Sequence, residues 1–337
     1  SEEDAPSGLT ALFDDFRAEY NLTEQNFAVS YYDTVTQESY DWNETHMMVA
    51  ASTFKLPLNL YYYEMENAGE IASDALMTQG GATLDLCHYL SIVESNNEIS
   101  HALLYRIGTF PEYKEAMRKY FTMTDDEIDP KYYQDNYYCT RMMMDTLKYL
   151  YARQDEFPEL IDYMKQSNPQ NGYFKAKVTE MEVAHKYGSF EGAENDVGIF
   201  YAEHPFLLAV YTQNVGESVV QDAARLAADY NAQQTELYKQ QVLQAQLDAF
   251  EAEKQARLQD AEARAEQARL TLAAEQEAEK AAPTGDVLLL ETEPDTEPAQ
   301  TPAQPQEAES SASAFQFNPD NFEWWMIAVA AVVLLLG

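Results

Sequence analysis

The sequence predicts an α+β fold, in which an antiparallel sheet is built from strands at both ends of residues 1–231 and a helical lobe lies between them. Three observations lead to this prediction. Segments typical of strands occur within 27–42 and within 183–212. Between 84 and 151, apolar residues instead recur at the spacing of a helix. After residue 231 the composition becomes that of a long helix, then of a disordered linker, then of an apolar tail.

The first elements are a helix and two strands. An amphipathic helix is predicted over 8–20, because its apolar residues recur at spacings of three and four. These residues are Leu9, Leu12, Phe13, Phe16 and Tyr20. The strands cover 27–32 and a following segment that ends at Trp42, and a turn near Asp33 and Thr34 joins them.

The helical lobe and the last strands come next. An apolar segment over 47–51 precedes Ser52, and a helix is predicted to continue through residues 56–63. Further helices are predicted at 84–93, 101–107, 112–120 and 140–151. Strands follow at 183–186, 195–201 and 206–212, and a final helix begins at 217–231.

Residues 232–282 are rich in Ala, Gln, Glu and Arg and contain neither Gly nor Pro, so they predict one long helix. Lys254 interrupts its apolar seam, and alanine dominates the second half of that seam. Two interpretations stay open, weak self-association through this helix and a single charged rod. The seam consists of Leu247, Phe250, Leu258, Ala261, Ala265, Ala268 and Leu272.

Residues 283–323 contain six prolines together with Thr, Glu, Gln and Ser, and they predict an extended disordered linker. Residues 324–337 form an apolar run that opens with two tryptophans. The run has 14 residues, whereas a membrane span needs about 20. We expect a C-terminal membrane anchor that is cut within its span, with a lipid-anchor signal as the alternative. A chain that starts at Ser1 is then expected to have lost a signal peptide, which predicts an exported, surface-bound bacterial protein.

The formal net charge of −37 comes from 58 acidic and 21 basic residues, and it argues against binding to nucleic acid. Cys87 and Cys139 permit one disulfide, but the sequence does not decide whether the two thiols meet. Neither cysteine has the spacing of a metal ligand, and the five histidines are scattered. No metal and no cofactor are therefore predicted.

Three short motifs occur in a fixed order along the chain. They are Ser52-Thr53-Phe54-Lys55, Ser95-Asn96-Asn97 and Lys186-Tyr187-Gly188. In order and context these motifs resemble the S-x-x-K, S-x-N and K-T-G signatures of the class A β-lactamases and penicillin-binding proteins. The resemblance covers roughly the first 230 residues. It implies the sheet and helical lobe of the β-lactamase and transpeptidase fold, and a serine hydrolase that forms an acyl-enzyme on Ser52.

The resemblance also implies catalytic roles for four residues. Ser52 is the nucleophile, and Lys55 removes its proton if burial and a second cation lower the pKa of the lysine. Lys186 is that second cation and attracts a substrate carboxylate. Ser95 passes a proton to the leaving nitrogen. Taken singly, the same residues would have ordinary interpretations, such as a serine at a helix start or a lysine on a strand.

Four further residues are implied to bind the substrate. Asn97 hydrogen-bonds the substrate amide, and the backbone N–H groups of Ser52 and Ser189 form the oxyanion hole. Gly188 and Tyr187 belong to the third motif. Tyr187 departs from the family, which has a small hydroxyl residue there, and its ring predicts an altered substrate.

A second departure concerns the loop between the second and third motifs. The family's β-lactamases use a glutamate on this loop, in the pattern E-x-x-L-N, which is absent here. The segment 124–138 instead offers Asp125, Asp126, Glu127, Asp129 and Asp135. Since residues 140–145 resemble the helix after this loop, the loop is short or rebuilt, and slow deacylation is expected.

Two functions remain open at this stage. The first is a membrane-tethered serine hydrolase acting on a β-lactam or a peptidoglycan-like substrate, as a β-lactamase or a D,D-peptidase. The second is a non-catalytic binding module at the cell surface that keeps the fold.

Overall fold

The N-terminal helix packs three apolar side chains into the core. In the computed structural model, which describes residues 8–281, helix α1 covers Leu9–Tyr20. Leu9, Phe13 and Phe16 are buried, whereas Leu12 is 40% exposed. The apolar face is therefore narrower than the sequence predicts. Asn21 ends the helix in the left-handed conformation, and its N–H reaches the carbonyl of Ala18.

The predicted antiparallel sheet built from both ends of the domain is confirmed. Five strands lie in the order β2-β1-β7-β6-β5, and every neighbouring pair is antiparallel. The strands are β1 Phe27–Asp33, β2 Ser39–Trp42, β5 Val183–Phe190, β6 Ala193–Phe200 and β7 Phe206–Thr212. A second sheet pairs β3 (Met48–Val49) with β4 (Tyr137–Tyr138), and the sequence did not predict it.

Strand β7 shows why the sheet is covered on both faces. All seven of its residues are buried, and successive side chains point to opposite faces. Leu207, Ala209 and Tyr211 pack with the helical lobe. Leu208 and Val210 pack instead with α1 and with the start of the C-terminal helix.

The helical lobe fills the chain between the two groups of strands. Its helices are α2 Lys55–Asn67, α3 Leu84–Ile92, α4 Asn97–Ile107, α5 Phe110–Met117, α6 Thr140–Ala152, α7 Pro158–Gln166 and α8 Phe174–Lys177. The sequence predicted most of these segments but neither α7 nor α8. Cys87 and Cys139 are both buried in this lobe as free thiols.

The last helix, α9, covers Glu217–Ala281 without a break. Its first turns place small and β-branched side chains against the sheet, among them Val220, Ala224 and Ala228. Thr235 is its last buried residue, and the side chains of 236–281 are exposed.

Within residues 8–281, no helix is long and apolar enough to cross a membrane. The same residues contain no group of three or more His, Cys, Asp or Glu side chains that could hold a metal ion. The predicted linker over 283–323 and the predicted anchor over 324–337 lie outside the described residues.

Candidate active site

Ser52 lies in a strained turn at the start of α2. A 3₁₀ helix, Ala51–Phe54, leads into α2, and Ser52 is partly exposed. Ala51 has a φ of 50°, a left-handed conformation that is uncommon for a residue with a side chain. Such strain persists only where surrounding contacts impose it, and it is concentrated at functional sites.

Asn136 supplies those contacts from the rebuilt loop. Its side-chain amide donates to the carbonyl of Ala51 at 2.8 Å. Its own carbonyl accepts from the N–H of Ala50 at 2.9 Å. The two hydrogen bonds flank the residue with the strained φ, so the loop holds the turn that presents Ser52.

The second motif forms the start of α4. Ser95 also has a left-handed backbone, with a φ of 55°. Asn96 caps the helix, because its side chain accepts from the N–H of Ile99 at 2.9 Å. Asn97 is the first residue of the helix, which directs its side chain towards Lys55.

The two motif lysines meet at the hydroxyl of Ser95. Lys55 Nζ donates to Ser95 Oγ at 3.2 Å, to the carbonyl of Ser95 at 2.6 Å and to Asn97 Oδ1 at 2.7 Å. Lys186 Nζ donates to the same Oγ at 3.1 Å. Both lysines are fully buried. The fold therefore brings four of the predicted site residues into one hydrogen-bonded cluster.

Burial changes the acid–base properties of both lysines. It lowers the pKa of Lys55 to about 7. Burial also lowers the pKa of Lys186 well below its usual value, and the positive charge of Lys55 lowers it further, while Asp196 opposes this shift. A neutral lysine amine is therefore available near neutral pH.

Gly188 allows the third motif to approach the Ser52 turn closely. A Cβ atom at this position would lie 2.6 Å from the backbone N of Ser52 and 2.8 Å from the carbonyl oxygen of Ala50. Only a glycine fits such a separation, so β5 lies directly against the turn. On the neighbouring strand, Asn195 is buried and donates to the carbonyl of Val49 at 2.7 Å. This hydrogen bond joins β6 to the segment that leads into the Ser52 turn.

Two predicted residues of the third motif have partners that sequence reasoning missed. The ring centroid of Tyr187 lies 4.4 Å from Lys186 Nζ and 4.7 Å from the ring centroid of Tyr173. Ser189 Oγ donates to Glu194 Oε1 at 3.1 Å. Glu194 could have been found from the hairpin register, because it pairs with Ser189 across β5 and β6. No local pattern in the sequence indicates that Tyr173 contacts the third motif.

Asp196 is a further buried group that the sequence analysis did not single out. Its carboxylate is bonded to His185 Nδ1 at 2.7 Å and accepts from the N–H groups of Phe174 and Val197. His185 directly precedes Lys186, and both members of the pair are fully buried. Asp196 therefore lies close enough to Lys186 to oppose the lowering of its pKa.

The acidic residues of the rebuilt loop mostly shape the loop itself. Glu127 accepts from Thr124 in a capping box, Asp129 accepts from the N–H of Lys131, and Asp125 pairs with Arg118. Asp135 instead lines a cavity of about 280 Å³, which also reaches Phe54, His101 and Asn136. None of the five lies in the family pattern E-x-x-L-N, and Asp135 directly precedes Asn136, which contacts the Ser52 turn.

A buried lysine supports this loop from below. Lys114 Nζ donates to the carbonyl of Tyr137 at 2.9 Å. It also lies 3.8 Å from the ring centroid of Tyr138 and 4.1 Å from that of Tyr132. Since Tyr137 follows Asn136 directly, Lys114 holds the part of the loop that contacts the Ser52 turn. No local pattern in the sequence indicates this role.

A serine in a strained turn, two buried lysines and a second serine between them define a site of the serine acyl-transfer class. The family comparison agrees, because the model of the beta-lactamase enzyme family matches residues 11–234. The chain therefore belongs to the beta-lactamase enzyme family. This confirms the family resemblance that the three motifs indicated.

Solved structures show the same fold. A variant of the last common ancestor of Gram-negative class A β-lactamases has a TM-score of 0.57 and 19% identity, over 66% of this chain and 99% of its own. A β-lactamase from Burkholderia vietnamiensis has a TM-score of 0.58 and 14% identity, over 68% and 99%. One from Burkholderia phymatum has a TM-score of 0.53 and 19% identity, over 65% and 96%. The search of curated proteins gives no match.

Proposed function

We propose that this chain is a serine hydrolase that forms an acyl-enzyme on Ser52 with a β-lactam or with a peptide-like cell-wall substrate. One observation carries the proposal. Lys55 and Lys186 both donate to Ser95 Oγ, and Lys55 lies one turn beyond Ser52, so the site holds a nucleophile, a base of lowered pKa and a proton relay.

The acylation step follows from these positions. Neutral Lys55 takes the proton of the Ser52 hydroxyl, and Ser52 Oγ attacks the carbonyl carbon of the amide. The N–H groups of Ser52 and Ser189 stabilise the oxyanion. Ser95 then gives a proton to the leaving nitrogen as the C–N bond breaks, and its hydroxyl regains a proton from the lysine side of the cluster.

Deacylation is expected to be slow. The loop that carries a general base in the family's β-lactamases here contains Asn136, whose amide and carbonyl are both bonded to the Ser52 turn. All five loop carboxylates are exposed, and Asp125, Asp126 and Glu127 lie in a short 3₁₀ helix. Slow hydrolysis favours a penicillin-binding or D,D-peptidase role over rapid β-lactam turnover.

The mass of the intact protein after mixing with benzylpenicillin tests this proposal. We expect a stable increase equal to the mass of the penicillin, on the full chain and on a Ser73→Ala control with an altered exposed serine. The increase should be absent in Ser52→Ala. No adduct and no consumption of benzylpenicillin would contradict acylation of Ser52 by β-lactams.

A second proposal, a non-catalytic binding module, is favoured by the exposed apolar side chains of α9. Leu243, Leu247 and Leu258 lie at the surface beyond Thr235, and Phe250 is 66% exposed. Such a surface would serve a partner or a second copy of the chain. This proposal predicts that deletion of 236–282 abolishes the cellular phenotype while Ser52→Ala leaves it intact. Concentration-dependent sedimentation of the full chain tests self-association.

The location of the protein is a separate proposal. We propose an exported protein that residues 324–337 anchor to the membrane at the bacterial surface, with the apolar run and its two tryptophans as support. Fractionation of cells that express the full chain and a chain ending at residue 323 tests it. The full chain should be in the membrane fraction and the shortened chain should be released. Equal distribution of both would contradict the anchor.

A further inference from the structure

The side of the cleft next to the third motif differs from the carboxylate site that the family resemblance implies. Lys186 is fully buried, and its Nζ donates to Ser95 Oγ at 3.1 Å and to the carbonyl of Tyr187 at 3.1 Å. The ring of Tyr187 lies 4.4 Å from the same Nζ. The Lys186 amine is thus enclosed by polar partners and an aromatic ring, and an incoming carboxylate cannot reach it without displacing them.

The ring of Tyr187 is fixed in this place by Tyr173. The two ring centroids are 4.7 Å apart, and Tyr173 is itself buried. The backbone of Tyr173 has a φ of 49°, and its N–H donates to Glu217 Oε1 at 2.8 Å. Because Tyr173 is anchored through both its backbone and its ring, Tyr187 packs against a rigid wall.

A carboxylate of the protein lies beside the end of the third motif. Glu194 lies opposite Ser189 in the β5–β6 hairpin and accepts from Ser189 Oγ at 3.1 Å. Its second oxygen accepts from the hydroxyl of Tyr173. Within residues 8–281, no Lys or Arg side chain forms a salt bridge with Glu194. Its described hydrogen-bond donors are therefore neutral hydroxyl groups, which leave the net charge of the carboxylate uncompensated.

We infer that this cleft selects acyl donors that are neutral or positively charged at the end facing the third motif, and that Tyr187 and Glu194 exclude a carboxylate there. The inference deepens the proposed function and rests on it. A carboxylate at this end would meet the enclosed Lys186 and the like charge of Glu194, in a chain whose formal net charge is −37. An ammonium group would instead pair with Glu194.

Three penicillins with the same acyl part and different charge test the inference. They are benzylpenicillin, its methyl ester and its diethylaminoethyl ester, which are anionic, neutral and cationic at pH 7. The measurement is the second-order rate constant for the mass adduct on Ser52 of the full chain. We expect the cationic ester to react fastest, and the free acid to react at least about tenfold more slowly than the methyl ester, because two like charges at short range repel. A free acid that reacts as fast as either ester would overturn the inference.

Two variants assign the effect to residues. Glu194→Gln should remove the advantage of the cationic ester over the methyl ester, while Glu191→Gln, an exposed residue of the same hairpin, should keep it. Tyr187→Thr should bring the rate of the free acid to within about threefold of the methyl ester. Unchanged charge preference in both Glu194→Gln and Tyr187→Thr would contradict the assignment.

Binding to Ser52→Ala separates this inference from the proposed chemistry. The variant cannot form an adduct on residue 52, so calorimetric dissociation constants for the three compounds report charge preference alone. The order cationic, neutral, anionic supports the inference even if the wild-type chain forms no adduct, in which case only the acylation proposal fails. A reversed order, or no binding of any of the three, overturns the inference.

Discussion

Two regions of this protein bury lysine side chains completely, and the groups that surround the buried amines differ between them. In the active site, Lys55 and Lys186 share the hydroxyl oxygen of Ser95 as an acceptor. Below the rebuilt loop, Lys114 lies between the rings of Tyr132 and Tyr138 and donates to one backbone carbonyl. Burial lowers the pKa of all three lysines.

The difference between the two regions lies in the neighbours. In the active site burial lowers the pKa of Lys55, and the pKa of Lys186 is lowered by burial and also by the positive charge of Lys55. Around Lys114 the neighbours are aromatic faces, and Asp135 opposes the effect of burial. Burial alone therefore does not identify a catalytic lysine. A neighbouring lysine and a shared hydroxyl oxygen distinguish the proposed catalytic pair from a lysine that holds a loop.

The largest effect is expected for Lys55→Met, which removes the proposed base. The rate of adduct formation on Ser52 should fall about 10³-fold, within the range observed for general acid–base catalysis. Lys119→Met, which alters an exposed lysine of the same lobe, is the control. Circular dichroism should show a folded Lys55→Met chain. A fall of less than tenfold would contradict the role of Lys55.

The pH dependence of acylation should follow the neutral form of Lys55. The burial of Lys55 lowers its pKa to about 7, so the fraction of neutral amine, and with it the rate, rises as the pH increases through about 7. Lys186→Met should leave this midpoint at about 7, because burial lowers the pKa of Lys55 and Lys186 itself is driven towards the neutral amine. The rate should fall about tenfold, because Ser95 Oγ loses one of its donors. Rates of adduct formation between pH 5.5 and 9 check this, and a midpoint that moves upwards in Lys186→Met would contradict a neutral Lys186.

Lys114→Met tests the other region. The carbonyl of Tyr137 would lose its buried donor, which costs about 2 kcal/mol in the free energy of unfolding. Because the pKa of Lys114 is lowered in the folded state, the unfolded chain binds more protons at alkaline pH, and wild-type stability rises with pH there. The variant should lack this contribution. Urea unfolding at pH 7 and pH 9 measures both effects.

The acylation profile of Lys114→Met sharpens the comparison further. Its rate should fall, because Asn136 loses support, but the pH midpoint should stay near that of the wild type. A shifted midpoint would mean that Lys114 belongs to the titrating cluster rather than to the support of the loop.

The smallest effect is expected for Lys131→Met. Lys131 Nζ lies 4.2 Å from the ring centroid of Tyr137, but the residue is partly exposed. An exposed cation–π contact contributes about 0.5 kcal/mol, so the free energy of unfolding should change by no more than that. A loss as large as that of Lys114→Met would show that burial does not set the difference between the two contacts.

Much of the fold could be predicted from local patterns. Short runs rich in aromatic, β-branched and other apolar residues marked β1, β6 and β7, because such side chains suit strands that are buried on both faces. The strands β3 and β4 are only two residues long each and carry no such pattern. Helix α7 begins with Pro158 and was missed, although proline at a helix start is a recognised signal.

Site residues that belong to a short motif were predicted, and site residues that act through a contact between distant parts of the chain were missed. Ser52, Lys55, Ser95 and Lys186 are identified by order and spacing. The structure joins Lys55, Ser95 and Lys186 by hydrogen bonds and brings the third motif against the backbone of Ser52 through Gly188. Asn136 was missed because its bond to Ala51 joins residues 85 positions apart. A hydrogen bond over that separation leaves no periodicity in either segment.

The sequence by itself determined the class of fold, the order of the motifs and the side chains that meet at the cleft, because steric periodicity and short motifs are local properties of the chain. Only the tertiary structure decided how those side chains behave. The lowered pKa of Lys55, the ring of Tyr187 next to Lys186 and the carboxylate of Glu194 beside the third motif all depend on packing between separate elements. Desolvation and charge interactions arise from everything that surrounds a group, and no local pattern encodes those surroundings.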